Sequence, residues 1–300
     1  MGCLRENFLK QSERCMTQFK NIFIAGGSGF VGKNIILQLG DKYNLLAPNH
    51  AELVLLDKDA VERFFNEHTI DVVIHAAAVG VKKTPLISNA IEKNMKIFFN
   101  IANLQKKWKK MIFLGSGAEY DKRQDLKQVT EMDFGRSIPV DDYGAAKYLC
   151  SQYIESAEHI INLRCFGVYG KYEDSTQRFI SSAILDVLAG RPITIGQNVW
   201  FDYLYVDDLI AIIDYFINHE ATYKFYNVAS GMRVDLLTLA GIVERISGSK
   251  RGIKVVRDGL NREYTADNSR LKSELPDFKF TSLEDGIKKM FEFYSKADDQ

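Results

Sequence analysis

The feature that most constrains this chain is a glycine-rich segment placed directly after a short apolar run. Residues 21–25 read Asn-Ile-Phe-Ile-Ala, and Gly26, Gly29 and Gly32 then recur at every third position before a helical pattern begins. Glycine permits a tight turn and a close approach of the backbone to a phosphate, and the free N–H groups at the start of a helix bind anions. The segment predicts a strand-turn-helix unit that holds a pyrophosphate, with a plain strand-to-helix turn as the alternative.

The rest of the chain alternates short apolar runs with segments of helical periodicity, which is typical of βαβ units and a parallel sheet. Predicted strands cover 21–25, 43–47, 71–75, 111–114, 160–164, 192–195, 203–206 and 225–228. Predicted helices cover 31–39, 59–67, 89–106, 143–156, 176–189, 208–218, 236–247 and 282–294. We therefore expect an α/β chain with a Rossmann-type doubly wound parallel sheet over residues 19–166. A smaller C-terminal substrate-binding lobe is expected over 167–300, with elements of about 203–228 returning to the main domain.

Composition excludes several classes of function. Lys plus Arg and Asp plus Glu number 39 each, so there is no basic field to attract nucleic acid or an anionic membrane. Cys3, Cys15, Cys150 and Cys165 show neither metal-ligand spacing nor the density of a secreted scaffold, which favours free thiols in the cytoplasm and no metal site. No apolar run is long enough to span a bilayer. Residues 1–18 lack an apolar signal segment and are interpreted as a peripheral N-terminal extension.

Tyr143, Lys147 and Ser116 carry the chemistry that the sequence predicts. Tyr143 and Lys147 stand four residues apart in a helical pattern and so share one helix face. A phenol titrates at about 10, and a nearby ammonium is expected to lower that pKa enough for acid-base work. Ser116 ends a predicted strand, where it can bind a substrate oxygen. A lone Tyr-x-x-x-Lys pattern often arises by chance, but its combination with the glycine segment indicates hydride chemistry on a bound dinucleotide.

Further residues are expected along the cofactor. Asp57 follows the second predicted strand and either accepts a hydrogen bond from an adenine amino group or caps the next helix. Ala76, Ala77 and Ala78 end a buried strand with small side chains, as a cofactor crossing the strand ends requires. No acidic residue occupies positions 47–50, where one would repel a 2′-phosphate, and NADP is therefore favoured over NAD.

On these motifs, over about residues 20–295, the chain resembles the extended short-chain dehydrogenases/reductases, the NAD-dependent epimerase/dehydratase family that acts on nucleotide sugars. Matching segments also include 164–170 and 202–208, and Tyr120 four residues after Ser116. The expected cofactor-binding residues are Gly26, Gly29, Phe30, Val31, Gly32, His50, Asp57, Ala76, Ala77, Ala78, Asn94 and Lys147. The resemblance further implies that Ser116 and Tyr143 act on a sugar hydroxyl or ketone and that helices 89–106 and 143–156 pair in a homodimer.

Departures from the family pattern reduce the number of reactions that this chain is expected to catalyse. Gly117 and Ala118 occupy the positions of the Asp-Glu pair of dehydratases, which excludes that activity. Residues 51–57 resemble the GDP-fucose synthase branch, whose phosphate-binding Arg aligns with His50 and whose epimerising Cys and His align with Ala118 and Arg178. The leading hypothesis is reduction of a nucleotide-linked 4-keto-6-deoxy sugar at C4 with Tyr143 as proton donor. The alternatives are a C4 epimerase with tightly bound NAD and a non-enzymatic dinucleotide sensor.

The residues expected to contact the substrate are Ser116, Gly117, Ala118, Tyr143, Arg178 and Arg262. Phe201 precedes Asp202 where the family commonly has an Arg that contacts the diphosphate. Arg178, Lys171 and Arg262 are the residues that could supply the missing charge.

Overall fold

The computed structural model describes residues 21–80 and 89–297, so the extension predicted for residues 1–18, with Cys3 and Cys15, lies outside the described residues. The strands are β1 Asn21–Ala25, β2 Asn44–Leu46, β3 Val72–His75, β4 Lys110–Ser116, β5 Leu126–Val129, β6 Ile160–Cys165, β7 Val168–Tyr169, β8 Ile193–Asn198, β9 Trp200–Asp202, β10 Leu204–Tyr205, β11 Phe225–Val228, β12 Arg233–Asp235, β13 Ile253–Leu260 and β14 Tyr264–Ala266. The helices are α1 Phe30–Leu39, α2 Lys58–Glu67, α3 Ala90–Ala102, α4 Asp142–Ser156, α5 Phe179–Leu188, α6 Val206–Asn218, α7 Leu236–Ser247, α8 Ser269–Glu274 and α9 Leu283–Ala297.

A six-stranded parallel sheet forms the centre of the molecule, in the order β11-β6-β4-β3-β1-β2. From β1 the chain adds β2 on one side and β3 on the other, so the connections diverge at the carboxyl ends of β1 and β3. Such a switch point leaves a crevice in which open α/β sheets bind ligands. Every residue of β3 and β4 is buried, as expected when helices cover both faces of a parallel sheet. The predicted Rossmann-type fold is confirmed.

Two apolar layers hold helices against this sheet. On one face, Ile35 of α1 and Ile213 of α6 pack against β1 and β3. On the other face, Phe65 of α2, Phe98 of α3 and Ile154 of α4 pack against the opposite side of the same strands. Each helix therefore buries one apolar stripe, and together the layers fix where the helix N-termini meet the strand ends.

The remaining elements form a smaller lobe. Helices α5, α7 and α9 share an apolar cluster with β8, which pairs in parallel with β13. A four-stranded sheet, β12-β9-β14-β5, draws β5 from the first half of the chain. Its strands β5 and β14 share an apolar cluster with Tyr120 and Phe166, which directly follow β4 and β6. The small sheet therefore lies against the carboxyl ends of the central strands, and the later elements α6 and β11 belong to the central layer.

Some predicted elements differ from the observed ones. The helix expected over 89–106 ends at Ala102, and a separate 3-10 turn follows over Gln105–Lys107. The helix expected from residue 176 begins only at Phe179. Strands β5, β7, β9, β12, β13 and β14 were not predicted, because none of them is a continuous apolar run of the kind that identified the central strands. Long-range pairing, rather than local sequence, creates these strands.

Candidate active site

The glycine segment forms a cradle between β1 and α1. Gly26 has φ +90°, a conformation that L side chains rarely adopt, and a Cβ at Gly32 would lie 2.2 Å from the Gly26 carbonyl oxygen. Gly29 precedes the helix in an extended conformation, and no side chain caps the first turn. The first N–H groups of α1 thus remain available to an anion, and the residues present fit the pyrophosphate of a dinucleotide.

The end of β3 forms a wall beside this cradle. A Cβ at Gly26 would lie 2.8 Å from the Ala77 backbone, and Ala76 N–H donates to the Ala25 carbonyl at 2.9 Å. Asn94 clamps the segment that follows, because its Oδ1 accepts from Val79 N–H and its Nδ2 donates to the Val79 carbonyl, both at 2.9 Å. Asn94 therefore fixes the backbone directly after Ala76, Ala77 and Ala78.

The adenine end of the predicted site is more open. Asp57 Oδ1 accepts from Ala60 N–H at 3.0 Å and caps α2, so the capping alternative is what the structure shows for this carboxylate. His50 is exposed beyond β2. Residue Ala47 lies against the glycine segment, since a Cβ at Gly27 would approach the Ala47 Cβ to 2.9 Å. The end of β2 therefore borders the cradle at the place where a ribose would extend from the pyrophosphate.

The three predicted catalytic residues meet at the carboxyl end of β4. Ser116 is the last residue of β4, and its Oγ accepts from Ala118 N–H at 3.1 Å. Helix α4 begins under an Asp141 cap and carries Tyr143 in its first turn, where the nearby Ser116 hydroxyl lowers the pKa of the phenol. Lys147 donates from Nζ to the Leu114 carbonyl at 2.6 Å, with Nζ 6.0 Å from the Tyr143 ring centroid.

Burial dominates the electrostatics of Tyr143. It raises the pKa of Tyr143 to about 12, against the lowering effects of Ser116 and Arg178. The Lys147 ammonium is held at the Leu114 carbonyl, with Nζ 4.3 Å from the Phe113 ring centroid. The expectation that Lys147 makes the phenol acidic stays a prediction. In this structure the phenol of Tyr143 carries its proton at neutral pH.

The predicted substrate-binding residues divide into two groups. Gly117 and Ala118 are buried in a 3-10 turn directly after Ser116, and Arg178 is exposed just before α5, with its charge acting on Tyr143. Arg262 lies just before β14, and its charge instead contributes to lowering the pKa of Asp125, which directly precedes β5. The structure therefore brings Arg178 to the catalytic phenol but gives Arg262 no contact with it.

Sequence reasoning missed an aromatic wall of the site. Burial raises the pKa of Tyr264 and the nearby Ser116 hydroxyl lowers it in part, and the Tyr264 ring centroid lies 4.9 Å from that of Phe166 and 5.4 Å from that of Phe201. A Cβ at Gly117 would approach the Tyr264 oxygen to 2.5 Å. Strand β14 has only three residues, so no pattern in the sequence identified Tyr264. Phe201, which stands where an Arg was expected, belongs to this apolar wall.

Comparison with known sequences decides the family. Residues 22–229 match the NAD dependent epimerase/dehydratase family, which is more than half of the chain. The chain belongs to this family. The resemblance to extended short-chain dehydrogenases/reductases is thereby confirmed, and with it an NAD(P)-dependent enzyme of nucleotide-sugar epimerase, dehydratase or reductase type.

Among relatives within the family, the putative GDP-L-fucose synthase 2 of Arabidopsis thaliana is 27% identical and covers 95% of both chains. Two solved structures share the fold. UDP-glucose 4-epimerase of Thermotoga maritima has TM-score 0.79 at 23% identity, over 92% of this chain and 99% of that one. GDP-mannoheptose C4 reductase of Campylobacter jejuni, with NADP bound, has TM-score 0.78 at 20% identity, over 93% and 99%.

Membrane-spanning helices and metal-ligand clusters are both absent from residues 21–80 and 89–297. None of the helices in these ranges is long and apolar enough to cross a membrane. Nor do these ranges bring three or more His, Cys, Asp or Glu side chains together in a way that would hold a metal ion.

Proposed function

We propose that this enzyme reduces a nucleotide-linked 4-keto-6-deoxy sugar at C4, with Tyr143 as the proton donor. The observation that carries the proposal is the half-buried, protonated phenol of Tyr143 near the hydroxyl of Ser116. Reduction of a ketone consumes one hydride and one proton, so a group that holds its proton at neutral pH suits this direction of the reaction. The name of the GDP-L-fucose synthase relative supports the same substrate class.

The residues divide the work as follows. A bound reduced nicotinamide supplies the hydride. Tyr143 gives its phenolic proton to the carbonyl oxygen as the C–H bond forms, and Ser116 donates a hydrogen bond to the same oxygen. The phenolate left on Tyr143 is stabilised by the charge of Arg178, which lowers the pKa of Tyr143. Water then returns a proton to the phenolate.

The substrate is proposed to lie between the glycine cradle and the smaller lobe. Arg178 is exposed, and its charge acts on both Tyr143 and Tyr264, which supports a role for its guanidinium beside the aromatic wall. A guanidinium binds a diphosphate with two parallel hydrogen bonds. The aromatic rings of Phe166, Phe201 and Tyr264 would then pack against the apolar face of the sugar.

NADPH is the proposed reductant. The end of β2 carries no carboxylate over residues 47–50, and His50 is exposed there with its ring free to meet a 2′-phosphate. We expect a higher kcat/KM with NADPH than with NADH at equal concentration. The ratio of the two rates, measured with one keto-sugar substrate, tests this preference.

The main experiment is turnover of Tyr143→Phe with a panel of nucleotide-linked 4-keto sugars, followed by nicotinamide absorbance and product mass. We expect kcat to fall at least about 100-fold, because general acid catalysis contributes that much, while the Kd of NADPH stays unchanged. Near wild-type turnover by Tyr143→Phe would overturn the proposal.

The same panel separates the alternatives. A C4 epimerase would copurify with tightly held NAD and interconvert two sugar products with no net loss of added NADPH absorbance. A non-enzymatic sensor would bind NADPH and convert none of the panel. The reductase is supported only by equal molar amounts of NADPH consumed and reduced sugar formed.

A further inference from the structure

A fully buried ion pair lies directly behind Ser116. Glu119 Oε2 and Arg164 Nε are 2.7 Å apart, and the two side chains are 0% and 1% exposed. Removing two charges from water costs several kcal/mol per ion, and good geometry only recovers that cost. Neither residue has a part in the proton transfer described above, so the position of this pair needs its own explanation.

Each oxygen of the Glu119 carboxylate is used. Oε1 accepts from the backbone N–H of Ser116 at 2.9 Å. Oε2 accepts from the Ser151 hydroxyl at 2.5 Å and from Asn162 Nδ2 at 3.2 Å, besides the Arg164 contact. The donors come from the end of β4, from α4 and from β6, so this one carboxylate joins the three elements that surround the catalytic serine.

The partner of this carboxylate is itself fixed. The Arg164 guanidinium lies 4.2 Å from the Phe134 ring centroid and 4.6 Å from that of Phe225, and it donates to the Tyr120 hydroxyl at 3.1 Å. A cation between two ring faces is attracted by both. The guanidinium cannot swing away from Glu119 without breaking this packing.

The glycines on both sides of Ser116 show how closely the surroundings approach. A Cβ at Gly115 would lie 2.4 Å from Glu119 Oε1, and a Cβ at Gly117 would lie 2.5 Å from the Tyr264 oxygen. The backbone around Ser116 therefore lies between the Glu119 carboxylate on one side and the Tyr264 hydroxyl on the other. Its N–H is oriented by Glu119, and its side chain is left facing Tyr143.

We propose that Glu119 is a positioning residue, whose carboxylate, held by Arg164, fixes the backbone of Ser116 so that the serine hydroxyl meets Tyr143 and the substrate oxygen. This inference rests on the proposed function, in which Ser116 and Tyr143 act on the carbonyl. Without Glu119 the Ser116 N–H would be buried with no acceptor, and the turn would relax to satisfy it.

The charge of Glu119 gives the proposal a second measurable consequence. Glu119 and Cys165 both act to raise the pKa of Tyr143, whereas Ser116 and Arg178 lower it. Tyr264 and Lys147 are the other titratable groups beside the phenol. Removing the negative charge of Glu119 therefore lowers the pKa of Tyr143. Since Tyr143 acts in its protonated form, the alkaline limb of the kcat profile moves to lower pH.

The test compares Glu119→Gln and Glu119→Asp with the wild type. Glutamine removes the charge at constant size, and we expect kcat to fall about 10- to 100-fold, KM for the keto sugar to stay within about 3-fold, and the alkaline limb to move to lower pH. Aspartate keeps the charge but does not reach Ser116 N–H, so kcat should fall while the alkaline limb stays in place. Ser151→Ala is the matched control, because it removes one donor to Glu119 and leaves both the charge and the Ser116 contact.

Folding and function are kept apart by two further measurements. The far-UV circular dichroism and the stoichiometry of NADPH binding report the folded fraction of each variant, and Tyr143→Phe is assayed beside them. Wild-type kcat and an unmoved alkaline limb in folded Glu119→Gln, with Tyr143→Phe inactive, would overturn the positioning role alone. An active Tyr143→Phe would overturn the proposed function instead. If Glu119→Gln does not fold, wild-type kcat in folded Glu119→Asp overturns the positioning role.

Discussion

At the scale of single residues, Asp57 has two possible roles, which are to cap helix α2 and to accept a hydrogen bond from an adenine amino group. Its Oδ1 caps α2 through Ala60 N–H, while Oδ2 has no partner among the described residues. A cap contributes to the stability of the chain, whereas a hydrogen bond to an adenine amino group contributes only to cofactor affinity. The two tasks can be separated because serine caps a helix but is too short to reach a base beyond it.

Asp57→Ala is expected to lower the free energy of unfolding by about 1 kcal/mol, and Asp57→Ser to retain most of it. Because neither substitute has a carboxylate, both are expected to raise the Kd of NADPH by up to about tenfold. Urea unfolding and fluorescence titration measure the two effects. A wild-type Kd for Asp57→Ser would leave capping as the only role of this residue.

At the scale of secondary-structure elements, helix α5 begins beside a buried carboxyl group. Glu173 is 7% exposed, and neither carboxylate oxygen has a hydrogen-bond partner within bonding distance among the described residues. Burial raises its pKa to about 7, while Ser181 of α5 and the Arg178 charge lower it only in part. Tyr203 and Tyr294 also face it, from the loop before β10 and from α9. The packing of α5 on the smaller lobe therefore favours the neutral acid.

The raised pKa of Glu173 determines how the free energy of unfolding changes with pH. Because the folded state holds the Glu173 proton more tightly than the unfolded state, the stabilisation is complete below about pH 4.5 and is lost as the pH rises through about 7. Glu173→Gln removes that loss. We expect the variant to match the wild type near pH 4.5 and to exceed its free energy of unfolding by up to about 3 kcal/mol at pH 8.

Urea unfolding at the two pH values measures this effect. The matched control is Glu62→Gln, an exposed carboxylate on α2, which should show the same difference from the wild type at both pH values. A Glu173→Gln variant with no gain at pH 8 would contradict a buried neutral acid at this position.

At the scale of the whole molecule, the two lobes meet along the carboxyl edge of the central sheet, and Asn34 of α1 donates to the Lys171 carbonyl across that boundary at 2.9 Å. Helices α3 and α4 lie side by side on one face of the sheet. Helix α4 buries Ala146 and Cys150 against this face and leaves Leu149 38% exposed on the other. These are the helices from which the sequence predicts a homodimer.

We expect the purified protein to be a dimer in light scattering coupled to gel filtration, and Leu149→Glu to shift it to monomer, because a buried unpaired charge is costly at an interface. Leu37→Glu is the control, since Leu37 is 56% exposed on α1, away from α3 and α4. A wild-type protein that elutes as a monomer at micromolar concentration would contradict the prediction, as would loss of the dimer in Leu37→Glu alone.

The sequence by itself determined what local patterns encode. Gly26, Gly29 and Gly32 follow an apolar strand, and Tyr143 and Lys147 are four residues apart, so the turn between β1 and α1 and the shared helix face could be predicted from spacing and strand order. The long central strands could be predicted for the same reason. Each of these features depends on residues within a few positions of one another.

Only the tertiary structure decided the features that depend on distant partners and on burial. Glu119 and Arg164 are 45 residues apart, and Tyr264 lies near Ser116 on a three-residue strand that pairs with β5 and β9. The protonation state of Tyr143 likewise follows from burial, which outweighs neighbouring charges and cannot be read from spacing. Long-range contacts and loss of solvent arise only when the chain is folded, and they set the electrostatics of this site.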